Sequence, residues 1–101
     1  MHQVLVTEPI IAKAISQLEQ SAEVTVGERG HYNNERNLIK DIGDYDALLC
    51  MLSTPVTPAV LEAAKNLKIV ANYAVGYDNI AITSARKKGI RVANTPGVLT
   101  H

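Results

Sequence analysis

The sequence predicts an α/β fold, a doubly wound parallel sheet of five strands with helices on both faces. Five short apolar or β-branched runs alternate with helical patterns along the 101 residues, and no hairpin turn signal joins any two of the runs. Because parallel neighbours need a crossover, this alternation favours a parallel sheet, and right-handed crossovers can place helices on either face. The strands are expected at residues 3–6, 23–26, 47–52, 68–73 and 91–93.

Helical patterns fill the intervals between these strands. Apolar residues recur at helical spacing over residues 11–18, and a weaker stripe covers residues 34–42. Thr57 is a favourable N-cap for a third helix, whose expected buried face consists of Val60, Leu61, Ala64 and Leu67. A fourth helix, over residues 82–88, ends in basic residues followed by Gly89, which fits both the helix dipole and a left-handed C-terminal cap.

Length, charge and hydropathy exclude several classes of protein. The chain is one domain's worth of residues, without a linker or repeat. Lys plus Arg and Asp plus Glu both number 10, so no basic field favours nucleic acid or an anionic membrane surface. No apolar run approaches the ~18 residues of a membrane span, and no signal-peptide pattern is present. We therefore expect a cytoplasmic protein.

The cysteine and histidines do not form a catalytic or metal-binding pattern. Cys50 lies in an apolar run, where a buried inert thiol is expected. His2, His31 and His101 are expected to be solvated surface residues. No Cys, His and Asp cluster has metal-ligand spacing. Capping or solvation is also the expected role of three isolated acidic residues, Glu8, Asp44 and Asp78.

The segments after the strands are where a ligand is expected, since open parallel sheets bind ligands beyond the carboxyl ends of their strands. These segments are residues 7–8, 53–55, 74–79 and 94–100. Within the third, Val75-Gly76 could present consecutive backbone N–H groups to an anion, and a small carboxylic acid is a natural ligand for such a turn. Local sequence alone leaves open the commoner reading, that the glycine only makes a tight turn.

Two long motifs in the second half of the chain carry a family resemblance. They read LKIVANYAVGYDNI at residues 67–80 and GIRVANTPGVLT at residues 89–100. Together they resemble the N-terminal part of the D-isomer-specific 2-hydroxyacid dehydrogenases, with glyoxylate/hydroxypyruvate reductases and 2-ketogluconate reductases as the most similar members. The resemblance implies that residues 1–101 are a segment of a flavodoxin-like substrate domain, which forms one wall of a cleft opposite a Rossmann domain that holds NAD or NADP.

The resemblance also implies roles for single residues. Backbone amides of Val75 and Gly76, with Ala74 beside them, bind the substrate carboxylate, and Val75 also lies close to the nicotinamide. Thr100 lies near the cofactor at the exit towards the second domain. The loop that shapes the substrate pocket in some members corresponds to Leu52 and Ser53.

Two departures from the family pattern affect these expectations. Family members commonly carry Asp at the position of Ala81, and the missing helix cap should cost about 1 kcal/mol unless Asn79 replaces it. No Gly-x-Gly-x-x-Gly occurs in the chain, so the dinucleotide site is expected elsewhere. The family's catalytic Arg, Glu and His also belong to a region beyond these residues, so we predict no catalytic residue here and no activity or cofactor binding for the 101-residue chain alone.

The resulting hypothesis is a fragment of an NAD(P)H-dependent oxidoreductase that reduces small 2-keto acids to D-2-hydroxy acids, homodimeric when intact. The alternative is a stand-alone flavodoxin-like binding or regulatory module. A phosphoacceptor receiver would need acidic residues after the first strand, an Asp after the third and a Lys after the fifth, where this chain has Thr7-Glu8, Ser53-Thr54 and Asn94-Thr95. A flavodoxin would need a Ser/Thr/Gly-rich phosphate loop after the first strand, where Glu8-Pro9 stands. A dimerisation module without catalytic function is a third possibility, since a severed domain exposes apolar surface.

Overall fold

A five-stranded parallel sheet forms the centre of the computed structural model, which describes residues 2–7, 19–20, 22–51, 53–72 and 79–94. The strand order is β2-β1-β3-β4-β5, and every neighbouring pair is parallel. This is the order of flavodoxin-like sheets, so the predicted fold class is confirmed. The strands are β1 (His2–Val6), β2 (Ala22–Val26), β3 (Ala47–Cys50), β4 (Ile69–Asn72) and β5 (Arg91–Asn94).

The strand ends differ from the predicted ends by one or two residues. β3 stops at Cys50 because the C=O of Met51 accepts the Thr54 N–H at 2.9 Å, which turns the chain out of the sheet. β4 begins at Ile69, one residue later than predicted. Leu52 and Tyr73, the predicted last residues of these two strands, lie outside the described residues.

Three α-helices and two short 3₁₀ helices connect the described strands. They are α1 (Glu35–Asp41), α2 (Pro58–Ala63), α3 (Ile82–Lys87) and the 3₁₀ turns His31–Asn33 and Ile42–Asp44. Asn34 Oδ1 caps α1 by accepting the Arg36 N–H at 2.8 Å, and the predicted cap Thr57 accepts the Val60 N–H at 3.3 Å. The predicted helix over residues 11–18 lies outside the described part of the chain.

α2 is shorter than its apolar stripe suggests, because it ends at Ala63 while the stripe runs on to Leu67. All four residues of the predicted buried face are nevertheless buried, since Ala64 and Leu67 reach the core from the turn that follows the helix. The end of α3 agrees with its prediction. Gly89 has φ 75°, the left-handed conformation that favours glycine.

The start of α3 decides between the two expectations for its cap. Ala81 is the N-cap residue and provides no side-chain cap. Asn79 does not replace the missing cap, because its amide bonds to the loops at the carboxyl edge of the sheet instead. The first turn of α3 therefore lacks the stabilisation that a capping side chain supplies.

The two faces of the sheet carry separate sets of core residues. Leu5, Leu48 and Val70 point to the face that α1, α2 and α3 cover, and they form the larger cluster with Leu38, Ile42, Val60, Leu61 and Ala85. Val4 and Val6 point to the opposite face, where they pack with Ala22. This alternation follows from the period of two along a strand. None of the described helices is long and apolar enough to cross a membrane.

Candidate functional site at the carboxyl edge of the sheet

The fully buried polar side chains collect at one edge of the sheet. Among the residues that the structure describes, three polar side chains have no solvent exposure, namely Thr7, Thr54 and Asn72. Thr7 directly follows β1, Thr54 lies in the turn after β3, and Asn72 ends β4. All three therefore lie at the carboxyl edge, where ligands bind to sheets of this kind.

Two of these side chains join the segments that follow β1 and β3. The hydroxyl oxygens of Thr7 and Thr54 are 3.0 Å apart and share a hydrogen bond. The backbone N–H of Thr7 also donates to the Leu49 C=O at 3.0 Å. A buried hydroxyl needs such a partner, because its desolvation is otherwise unfavourable.

A second group of polar contacts surrounds Asn72 and Asn79. Asn72 Nδ2 donates to Asn79 Oδ1 at 2.7 Å, and Asn79 Nδ2 donates back to Asn72 Oδ1 at 3.2 Å. Asn79 Nδ2 also lies 2.8 Å from the Thr54 C=O and 3.1 Å from the Met51 C=O. One amide thus links the end of β4 to the loop after β3.

Cys50 completes this group as a neutral thiol. Its Sγ donates to Asn72 Oδ1 at 3.3 Å. Burial raises the pKa of the Cys50 thiol to about 12, against a smaller lowering of the pKa by a hydrogen bond from Asn79. The thiolate that a nucleophile requires is therefore absent at neutral pH. The prediction that Cys50 is a buried core residue is confirmed.

Backbone hydrogen bonds tie the same two loops together. The Val56 N–H donates to the Asn79 C=O at 2.9 Å, and the Ala81 N–H donates to the Val56 C=O at 2.9 Å. This pairing makes an isolated parallel bridge between Val56 and Ile80. An open groove runs beside the bridge, and Ser53 lies exposed along it.

The predicted site residues divide into one that the structure describes and five that it does not. Ser53 lies at the carboxyl edge, as its predicted place in the loop after β3 requires. The other five stay predictions outside the described residues, and they are Leu52, Ala74, Val75, Gly76 and Thr100. The segment that contains Val75 and Gly76 begins directly after Asn72 and ends directly before Asn79.

Sequence reasoning missed the asparagine pair and the threonine pair. A signal for Asn72 was available, because it follows three apolar strand residues and a buried amide must find partners. The partner itself could not be named, since Asn79 and Asn72 are separated by a loop whose path the sequence does not reveal. Thr7 and Thr54 are 47 residues apart, and only the parallel pairing of β1 with β3 brings their segments together.

Neither histidine of the described residues takes part in the Thr7–Thr54 or Asn72–Asn79 contacts. His2 is 75% exposed and lies 3.7 Å from an Asp46 carboxylate oxygen at the opposite edge of the sheet. His31 is exposed in a 3₁₀ turn. His101 lies outside the described residues. Within the described ranges, no group of three or more His, Cys, Asp or Glu side chains could hold a metal ion.

Comparison with known proteins identifies the family of this fold and site. Residues 4–101 match the model of the D-isomer specific 2-hydroxyacid dehydrogenase catalytic domain. The chain belongs to this family. The resemblance carried by the two sequence motifs is therefore confirmed.

Individual relatives agree with this assignment. The chain is 47% identical to a glyoxylate reductase of Thermococcus onnurineus over 98 residues, which are 97% of this chain and 29% of that protein. It is 48% identical over 98 residues to a glyoxylate reductase of Pyrococcus horikoshii, again 29% of its length. The chain thus spans less than a third of these relatives.

Solved structures support the same fold. The PH0520 protein from Pyrococcus horikoshii superposes with a TM-score of 0.90 at 31% identity, over 99% of this chain and 29% of that one. The TT0316 protein from Thermus thermophilus gives a TM-score of 0.85 at 37% identity, over 97% of this chain and 32% of that one.

Proposed function

We propose that this chain is the substrate-binding segment of an NAD(P)H-dependent oxidoreductase that reduces a small 2-keto acid of the glyoxylate type to a D-2-hydroxy acid. The observation that carries the proposal is the collection of buried polar groups at the carboxyl edge, on both sides of the segment that contains Val75-Gly76. The family membership and the names of the relatives add support.

The chemistry of the carboxyl edge suits an anionic substrate. The side chains of its two buried groups are hydroxyls, amides and a protonated thiol, so the Thr7–Thr54 and Asn72–Asn79 groups carry no negative charge. The nearby Glu35 carboxylate is occupied by the Thr57 hydroxyl. A carboxylate held by backbone N–H groups gains charge-assisted hydrogen bonds. We assign this role to the N–H groups of Val75 and Gly76, with Ala74, Leu52 and Ser53 shaping the pocket.

We propose that this chain contributes only one wall of the cleft that holds the cofactor. A nicotinamide cofactor, when bound, supplies the hydride that reduces the keto carbon. Without a Gly-rich phosphate-binding motif, these residues fit the substrate side of a cleft better than a dinucleotide site, and only Val75 and Thr100 are proposed to approach the cofactor. We assign proton donation and substrate orientation to the family's His, Glu and Arg, outside this chain, in a homodimeric cytoplasmic enzyme.

A chimera tests this function. In the Thermococcus onnurineus glyoxylate reductase, the matched 98-residue region is replaced by the corresponding residues of this chain. The chimera should reduce glyoxylate with NADH or NADPH, measured as the fall in absorbance at the nicotinamide band. Purified residues 1–101 alone should show no such reaction.

The controls separate the proposal from its alternatives. The unaltered relative sets the activity of the host framework, and Gly76→Ala in the chimera should raise KM for glyoxylate, since a Cβ hinders the close approach of a ligand to the backbone. A folded chimera that binds cofactor but reduces no 2-keto acid contradicts the proposed function. A yellow colour in the purified 101-residue chain would favour a flavin-binding module instead.

A further inference from the structure

One face of the sheet is apolar across all five strands. Because residues paired in neighbouring strands point to the same face, the parallel register defines two rows of side chains on the face opposite α1, α2 and α3. The first row is Val24, Val4, Ala47, Ile69 and Arg91, and the second row is Val26, Val6, Leu49, Ala71 and Ala93. Arg91 is the only charged residue in the two rows.

The burial of these two rows is uneven. Val4 and Val6, on β1, are 7% and 0% exposed. The row members on β3, β4 and β5 that are only half-buried are Ala47, Leu49, Ile69, Ala71 and Ala93. Leu48 and Val70 lie on the same strands but point to the other face, and they are 1% and 0% exposed. The same strands are therefore closely covered on one face and partly open on the other.

The described helices do not cover this open part of the sheet. Leu38 of α1, Val60 of α2 and Ala85 of α3 all belong to the core cluster on the other face. The buried described residues of the cluster on the open face all belong to strands. Ile69 and Ala93 also line an open groove at the β5 edge. We call the five half-buried residues of β3, β4 and β5 the open strip, and it has no covering layer among the described residues.

The open strip has the width of one helix. Neighbouring strands lie about 4.8 Å apart, so β3 to β5 span about 10 Å, and an α-helix with its side chains is about 10–12 Å across. Because Val4 and Val6 are buried on the same face, a covering layer already stands over β1 and borders the strip. A second sheet needs a broad flat face for packing. A single helix therefore suits the strip better than a second copy of this chain packed face to face.

The relatives indicate where such a helix could come from. All-parallel sheets occur almost only with both faces covered. The region shared with the glyoxylate reductases of Thermococcus onnurineus and Pyrococcus horikoshii is 29% of the length of each. An enzyme of that length has enough polypeptide outside the shared region to supply one more helix.

We propose that the open strip is the docking surface for an apolar α-helix from the part of the intact enzyme that lies outside residues 1–101. The helix packs on β3, β4 and β5 as a third layer and completes the substrate domain. This inference rests on the proposed function only in that the chain is part of a larger enzyme, and it does not depend on which reaction that enzyme catalyses.

Thiol labelling tests the open strip directly. Ala71→Cys places a small thiol in the second row, and the native Cys50 is buried on the other face. In the 101-residue chain, an uncharged maleimide should modify position 71 at a rate within about tenfold of that of an exposed thiol. In the glyoxylate reductase chimera the rate should be about 100-fold lower, since only local opening would expose the thiol. Mass spectrometry of the peptide that contains position 71 measures both rates.

Two further variants make the comparison specific to the strip. Thr25 is exposed on β2 and is paired with Leu5, so it points to the opposite face. Thr25→Cys should therefore react equally fast in the chain and in the chimera. Ala93→Cys, at the β5 edge of the strip, repeats the test if the first variant does not fold.

Each outcome decides the proposal. Equal rates at position 71 in the chain and the chimera overturn it, because the strip is then open in both or covered by this chain itself. Protection in the isolated chain that rises with chain concentration, together with a doubled mass in light scattering, identifies a second copy as the occupant and also overturns it. A folded chimera that reduces no 2-keto acid removes the proposed function, and the labelling rates then still decide whether the strip is covered.

Discussion

The amino and carboxyl edges of the sheet satisfy their polar groups by different chemistry. At the amino edge, the Asp46 carboxylate accepts the Gln3 N–H at 2.8 Å and lies 3.7 Å from His2, with 27% of the Asp46 side chain exposed. Backbone bonds extend the ladder there, from Lys68 N–H to Asp46 C=O at 2.7 Å and from Arg91 N–H to Lys68 C=O at 2.9 Å. At the amino edge, a partly exposed charged side chain therefore accepts the hydrogen bond of a strand N–H.

At the carboxyl edge the three fully buried polar side chains, Thr7, Thr54 and Asn72, are neutral, because an ionised side chain without solvent would need a paired charge. The Glu35 carboxylate, which accepts the Thr57 hydroxyl there, is only partly buried. The contrast teaches that the edge where we propose an anionic substrate to bind keeps its fully buried side chains uncharged. A carboxylate in the place of Asn72 or Thr54 would hold the same loops less well and would repel the proposed ligand.

The largest loss of stability is expected from a substitution of Asn72 at the carboxyl edge. Asn72→Leu leaves the Cys50 thiol and the Asn79 amide without their buried partner, so the free energy of unfolding should fall by about 3 kcal/mol. Urea denaturation followed by circular dichroism measures it. Asn66→Leu, at an exposed asparagine, should change stability by less than about 0.5 kcal/mol. Equal losses would show that burial of the amide is unimportant.

A smaller loss is expected from the threonine pair. Thr7→Val removes one hydroxyl and leaves Thr54 Oγ1 without the partner that lies at 3.0 Å, so stability should fall by about 1–2 kcal/mol. Thr25→Val on β2, where the side chain is exposed, should be neutral or slightly stabilising, because valine favours strands. The same urea experiment compares the two variants. A neutral Thr7→Val would mean that the hydroxyl pair does not hold the edge.

At the amino edge, the loss of stability caused by substituting Asp46 should depend on pH. The Gln3 N–H, together with His2 and Lys68, holds the pKa of Asp46 below its usual range. A folded pKa below the unfolded one contributes stability that is present above about pH 4 and is lost as the pH falls through the folded value. Asp46→Asn should therefore lower Tm at pH 7 more than at pH 2.5.

The matched control for Asp46 is Asp44→Asn, at an exposed carboxylate two residues earlier. Measuring both variants at both pH values separates the contacts of Asp46 from the loss of a carboxylate in general. A pH-independent difference between the wild type and Asp46→Asn would contradict the role of the Asp46 carboxylate at the amino edge.

The smallest effect is expected at the Cys50 thiol. Because burial raises its pKa to about 12, the native chain should not react with iodoacetamide at pH 8 on the timescale in which a small exposed thiol reacts fully. Mass spectrometry measures the modified fraction with and without urea. Modification at the same rate under both conditions would contradict a buried thiol at the carboxyl edge.

The elements of the fold were predictable because each depends on local patterning. Alternating apolar residues placed the strands, Thr57 placed the start of α2, and Gly89 placed the end of α3. The end of α2 was not predictable from its stripe, because Leu67 is buried from a turn rather than from the helix. A residue can point to the core in either conformation, and the apolar pattern does not distinguish them.

Of the candidate site, the place of Ser53 was predictable, because the carboxyl-edge rule put it in the loop after β3. The motif around Val75-Gly76 indicated the family, and the role of these two residues stays a prediction. Asn79 was expected as a possible helix cap, and its actual partners are carbonyls in the loop after β3. The local spacing of Asn79 from α3 favours a helix cap, whereas the position of the loop after β3 decides which groups its amide contacts.

By itself, the sequence determined the parallel α/β class, the family and the loop that is proposed to hold a carboxylate. Periodicity and motifs are patterns of residues that lie close together in the sequence. Only the tertiary structure decided which polar groups share the carboxyl edge. Thr7 meets Thr54 because sheet pairing brings distant segments together, and Asn72 meets Asn79 across six intervening residues. Burial then requires each polar group to find its partner among whatever the fold has placed beside it.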